Sequence, residues 1–158
     1  MDTSDFDEIA FFRAIARSGV RALLIGRRAL VLLGLPVLTA DYDFWIDSDQ
    51  IARFNETAEP FGLRPTHSPE DARRAGRYAL ENDEHVDVLV AGSMSTVDGV
   101  VIEFEHLWRA RRVQPIAPDA SITMPDIGGL ILTKRIAARP TDLEDIRLLE
   151  VLRSEEGS

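Results

Sequence analysis

No cysteine occurs among the 158 residues, which removes disulfides, thiolate nucleophiles and cysteine-bound zinc together and suits a reducing compartment. No apolar run approaches the roughly 18 residues of a membrane span, so no membrane segment is expected. The N-terminus, MDTSDFDEIAFFRAIARSG, lacks the basic start, apolar middle and small-residue cleavage site of a secretory signal, and a cytoplasmic protein is expected. Positive charge is scarce: 18 Lys and Arg stand against 27 Asp and Glu, a net charge of -9. That balance argues against a broad, non-specific grip on nucleic acid, which comes from neutralising phosphates with cations. Lysine is almost missing, and Lys134 is the single one. Internal repeats, low-complexity tracts and interior linkers are absent too.

What is present, 45% hydrophobic and 28% charged residues, is the composition of a globular chain long enough for one core. A single domain over 1–158 is expected, with 154–158 as a frayed tail. Residues 4–18 read as an amphipathic helix capped by Ser4, with Phe6, Ile9, Phe12 and Ala16 on one side and Gly19 as its stop. RALLI (21–25) reads as a strand that Gly26 turns into a short helix ending at Gly34. ADYDFWID (40–47) reads as a strand, followed by a helix capped at Ser48. LRPTH, RYALE and HVDVLVA read as strands, SPEDARRA as a short helix with Pro69 at its first position, and a turn is expected near residue 108. Pro125 opens PDIGGLILTKRIAA, Pro140 breaks it, and Thr141 with Glu144 reads as a capping box for the last helix. Interleaved strands and helices, with helices collected at both ends, indicate an α+β or α/β sandwich.

The chemistry concentrates in the acidic strand. Alternation sends Asp41 and Asp43 from the same face, where their carboxylates can share a cation. Asp87, in HVDVLVA, joins them if its strand pairs beside 40–47. Unpaired, the three would repel and raise one another's pKa unless a cation or an arginine neutralises them. Each also has a plainer reading: a strand-start residue for Asp41, an arginine salt bridge for Asp43 and an edge-strand surface charge for Asp87. Gly26, between a strand and a helix, offers backbone N–H groups to a phosphate. Phosphate and metal on neighbouring loops is the geometry of phosphoryl or nucleotidyl transfer.

LLIGR (23–27), then DYDF (41–44) and VDVLV (86–90), resemble the signature of the nucleotidyltransferase superfamily related to DNA polymerase beta. More narrowly, GLPVLTADYDFWID and LILTKRIAARPTDLEDIRLL resemble small prokaryotic proteins akin to the AbiEii type of toxin. The likeness covers residues 20–150 and implies a minimal nucleotidyltransferase fold: α+β, a mixed β-sheet flanked by helices, with N- and C-terminal helices. It implies Asp41 and Asp43 as paired ligands of Mg2+ (or Mn2+), Asp87 as the third carboxylate, and a nucleoside triphosphate as substrate. Arg27 departs from the pattern, because the family has a second small residue there. Its guanidinium either binds a phosphate itself or marks a degenerate site.

Lys134 shares a helical stripe with Ile127, Leu130 and Ile131, so its ammonium leaves the core-facing side. It is either a triphosphate contact, as the likeness implies, or the partner of a nearby aspartate. Thr39 could bond a carboxylate or a phosphate, or fit a turn. Arg139, Asp142 and Asp145 match a closing motif of the family and read most plainly as ties between the last two helices. His67, His85 and His106 show no metal-ligand spacing. The expected function is transfer of a nucleoside monophosphate to a hydroxyl of a tRNA end, a protein or a small molecule such as an aminoglycoside, and the likeness to the AbiEii type implies the toxin of a toxin and antitoxin pair. The alternatives are a catalytically silent module that binds a partner protein and a metal-dependent nuclease, which would need no glycine turn.

Overall fold

The computed structural model describes residues 6–157. Helix α1 spans Glu8–Ser18, strand β1 Ala22–Ile25, helix α2 Gly26–Leu32, strand β2 Tyr42–Ile46 and helix α3 Ile51–Ala58, extended by a 3-10 turn over Glu59–Phe61. Strand β3 (Arg64–Pro65), helix α4 (Pro69–Ala75) and strands β4 (Arg77–Glu81) and β5 (His85–Leu89) complete the central layer. Strands β6 (Ser93–Ser95) and β7 (Val101–Glu103), helix α5 (Phe104–Arg109), strands β8 (Arg112–Ala117) and β9 (Ala120–Met124), and helices α6 (Ile127–Lys134) and α7 (Pro140–Glu156) follow. The sheet has five strands in the order β1-β2-β5-β4-β3. It is mixed: β2 and β5 run parallel, and the other neighbouring pairs are antiparallel. This is the expected α+β architecture, with helices at both ends. No helix among the described residues is long and apolar enough to cross a membrane.

Alternation along β2 divides the molecule. Tyr42, Phe44 and Ile46 point into the main core, where Phe44 meets Phe11, Phe12 and Phe54 edge-on at 5.2–6.2 Å between ring centres. Asp43 and Trp45 face the other side. There Trp45 joins Leu23, Ile25, Ile102, Phe104 and Leu107 in a smaller cluster and donates its indole N–H to the Ala91 carbonyl at 2.7 Å. That cluster covers one end of the second face. The carboxylate end stays open.

Several local readings need correction. Ser4 lies outside the described residues, and α1 begins at Glu8 with Asp7 accepting the Ala10 N–H at 3.0 Å. Its buried stripe is therefore Phe11, Phe12 and Ile15, while Ile9 and Ala16 are exposed; two adjacent phenylalanines set the face. Ser48 sits in a turn, and α3 starts from Gln50, whose N–H is held by the Asp47 carbonyl. Trp108 lies within α5 rather than in a turn. Pro140 occupies the first turn of α7, where its missing N–H costs nothing, so the cap is Asp142 accepting the Arg139 N–H at 3.0 Å rather than Thr141 with Glu144. Helix α7 runs on to Glu156 and takes in most of the segment read as a tail.

Candidate active site

Strand β1 passes directly into α2 at Gly26, whose φ of +74° suits glycine. A second constraint acts on the same atom. A Cβ at Gly26 would lie 2.5 Å from Asp43 Oδ2 and 3.0 Å from the Asp43 Cβ, because Ile25 and Asp43 are register partners across β1 and β2. Gly26→Ala is expected to cost about 1–3 kcal/mol in urea unfolding and to displace the Asp43 carboxylate. An unchanged unfolding midpoint would show that the turn is less constrained than its geometry states.

The parallel pairing of β2 with β5 sets Asp43 opposite Asp87. Neighbouring Cα partners in a sheet project from the same face, so the two carboxylates stand side by side. Asp41 precedes the first residue of β2, and Thr39 Oγ1 accepts its backbone N–H at 3.1 Å. Asp41, Asp43, Asp87, Gly26 and Thr39 all line one cavity of about 400 Å³, together with Arg27 and Lys134. Burial, and then the charges of Asp87 and Asp41, push the Asp43 carboxyl up to about 6. Like charges gathered at one spot are the condition a cation relieves.

Arg27 and Lys134 are committed to acids. Arg27 grips Asp145 with two N–H groups at 3.1 Å each, and a third donates to the Leu38 carbonyl at 3.2 Å. Lys134 Nζ lies 2.8 Å from Asp145 Oδ2 and 3.7 Å from Asp142 Oδ1. Arg139 binds Asp142 in turn. Burial works to raise Asp145, but hydrogen bonds from Arg27 and Lys134 outweigh it and hold that carboxyl below its usual range. The chain Arg27–Asp145–Lys134–Asp142–Arg139 thus ties α2, α6 and the start of α7 together beside the cavity. The ion-pair reading of Lys134 and the tying role of Arg139, Asp142 and Asp145 describe what is observed.

The sequence reading gave no site role to two residues that line or adjoin the cavity. Arg77, on β4, lines the cavity, and its guanidinium has no hydrogen-bond or ion-pair partner among the described residues; without the β4–β5 register nothing in RYALE points to it. His85 sits between Glu81 and Asp87, and its hydrogen bond to Asp87 raises the imidazole above its ordinary value against a smaller effect of burial. The signal was available, since His85 and Asp87 are two apart on one strand. His67 is exposed and bonds Thr66.

The donor set suits a hard divalent cation. Among the described residues no three His, Cys, Asp or Glu groups close around an ion position, so the protein offers no complete cage. Mg2+ commonly takes one or two carboxylates and fills its shell with phosphate and water, which the Asp41, Asp43 and Asp87 carboxylates can accommodate.

No protein-family model matches the sequence, and no curated protein matches it significantly. Solved structures do match in shape. The lincosamide antibiotic adenylyltransferase LnuA, with lincomycin bound, superposes with a TM-score of 0.60 at 16% identity over 93% of this chain and 98% of its own. The antibiotic-resistance factor ANT(2'')-Ia gives 0.60 at 15% over 92% and 86%. A protein of Thermotoga maritima, TM1012, provisionally assigned as a nucleotidyltransferase, gives 0.55 at 15% over 93% and 88%. Over 92–93% of its length this chain has the fold of the nucleotidyltransferases.

Proposed function

We propose that the protein is a metal-dependent nucleotidyltransferase that moves a nucleoside monophosphate from a nucleoside triphosphate to a hydroxyl acceptor. The observation that carries this reading is the facing of Asp43 and Asp87 on parallel neighbours, with Asp41 beside them, in a cavity that reaches Gly26. Bound Mg2+ or Mn2+ would supply charge to balance the phosphates and the developing transition state. The chain's own residues supply the rest. One or two of the Asp41, Asp43 and Asp87 carboxylates at a time would hold the ion, with phosphate and water completing its shell, and a carboxylate of the three would take the proton of the attacking hydroxyl. Arg77 is free to meet an anionic part of either substrate, while Thr39 and Gly26 border the same space. A tRNA end, a protein side chain and a small molecule remain the acceptor classes; a toxin role with a cognate antitoxin rests on the sequence resemblance.

One observation favours a second reading, a silent module acting through a partner protein. Arg27 and Lys134, which line the cavity with Gly26, are already paired with Asp145. Calorimetry with each of the four nucleoside triphosphates and Mg2+, on the wild type and on the Asp41→Ala, Asp43→Ala double variant, separates the two. Binding heat for at least one nucleotide, lost in the variant, and transfer of an α-phosphate label to an RNA, protein or small-molecule fraction are expected. No heat with any nucleotide would leave the silent module standing.

A further inference from the structure

The face of the sheet that carries Asp87 holds two more side chains to which the proposed reaction gives no task. Glu81 and His85 are register partners on β4 and β5, and alternation along β5 puts His85 on the same face as Asp87. His85 Nδ1 lies 2.9 Å from Glu81 Oε2, and Nε2 lies 2.9 Å from Asp87 Oδ1. A carboxylate oxygen accepts, so Nε2 donates to Asp87 while Nδ1 faces Glu81.

All three side chains are 41–50% exposed, and ion pairs this open add little to stability. What the arrangement fixes is a direction. The His85 N–H engages Asp87 Oδ1, and Oδ2 is the Asp87 oxygen without a protein partner among the described residues. Asp87 itself lines the cavity. The other two acids lack such a support: Asp41 is exposed at the start of β2, and Asp43 is held by packing against Gly26.

We infer that His85, braced by Glu81, is a positioning residue that locks the Asp87 carboxylate so that its Oδ2 is presented to the ligand of the Asp41, Asp43 and Asp87 site. The inference rests on the nucleotidyl-transfer reading above. Outer-sphere hydrogen bonds of this kind orient carboxylates that hold a cation, and their loss costs about 10–100-fold in metal affinity or activity.

The test is Mn2+ affinity, read by electron paramagnetic resonance on the full chain with a non-hydrolysable ATP analogue. Two neutral replacements are compared, so that loss of the imidazole is common to both. Glutamine in His85→Gln can still donate to Asp87 from its Nε2, and alanine in His85→Ala cannot. His85→Gln is expected to bind Mn2+ about 10–100-fold more tightly than His85→Ala, with equal thermal midpoints for the two in chelator. Equal affinities for the two variants, alongside loss of binding in Asp87→Ala, would overturn the inference and leave the site intact. A midpoint for His85→Ala well below that of His85→Gln would make His85 a structural residue and overturn it as well. Failure of the wild type to bind Mn2+ with the analogue, or binding that Asp87→Ala does not change, would remove the site reading and this inference with it.

Discussion

Asp145→Ala is expected to lower stability by about 3–5 kcal/mol, because it strips a buried cation of its close partner. Asp145 is 1% exposed and Lys134 7% exposed. With Asp145 gone, the acid left within 4 Å of the ammonium among the described residues is Asp142, at 3.7 Å. Arg27 also loses both of its 3.1 Å bonds, but it keeps partial access to water and suffers less. The measurement is urea unfolding at pH 7. A paired replacement sharpens it: Lys134→Met with Asp145→Leu removes both charges, and apolar pairs of similar volume often match or exceed a buried ion pair. The double variant is therefore expected to be more stable than Asp145→Ala. A loss under about 1 kcal/mol for the single change would mean that the pair is open to water and behaves as a surface bridge. The pH dependence has a sign. A carboxyl whose folded value is depressed contributes stability above its unfolded value, near 3.9, and that contribution disappears as the pH falls through the lower folded value.

Asp43→Asn is expected to separate stability from activity. In the folded protein the Asp43 carboxyl titrates at about 6, against roughly 3.9 in an unfolded chain. The folded state therefore binds the proton more tightly, so the metal-free protein loses stability as the pH rises from about 4 to about 6 and carries the full penalty above that. The penalty is about 2–3 kcal/mol. Asparagine carries no charge, and in chelator at pH 8 the variant is expected to be the more stable protein by about that amount, with the difference vanishing near pH 4. Groups remote from Asp43 cancel in the comparison. Transfer should meanwhile fall by a factor on the order of 10³, as for removal of a key electrostatic group. A variant less stable than wild type at pH 8 would contradict the crowding of Asp41, Asp43 and Asp87. Retained transfer would remove Asp43 from the reaction.

How far the residues spoke for themselves varied along the chain. ADYDFWID announced both a strand and its polarity, because alternation alone separates Tyr42, Phe44 and Ile46 from Asp43 and Trp45. The facing of Asp87 with Asp43 could be stated only conditionally. It depends on a parallel pairing across α3, β3, α4 and β4, and no local pattern specifies which strands become neighbours. Lys134 was legible as a buried cation from its stripe, and its partners Asp145 and Asp142 were visible only as ties between helices. Arg27 was legible as a departure from the pattern at the turn, but not as the partner of Asp145, which its length lets it reach. The β8–β9 hairpin went unseen, since Pro115 and a register shift between Pro115 and Ala117 spoil the alternation that marks strands.

The bond between Arg27 and Asp145 joins positions 118 residues apart. During synthesis, which proceeds from the N-terminus, β1, α2, β2 and β5 leave the ribosome long before α7 does. Until then Arg27 has no Asp145 to grip, and Lys134, once made, lacks the same partner. A nascent chain therefore holds Asp41, Asp43 and Asp87 before it holds Asp145, and a product that stops short of α7 lacks the acid that pairs with both Arg27 and Lys134.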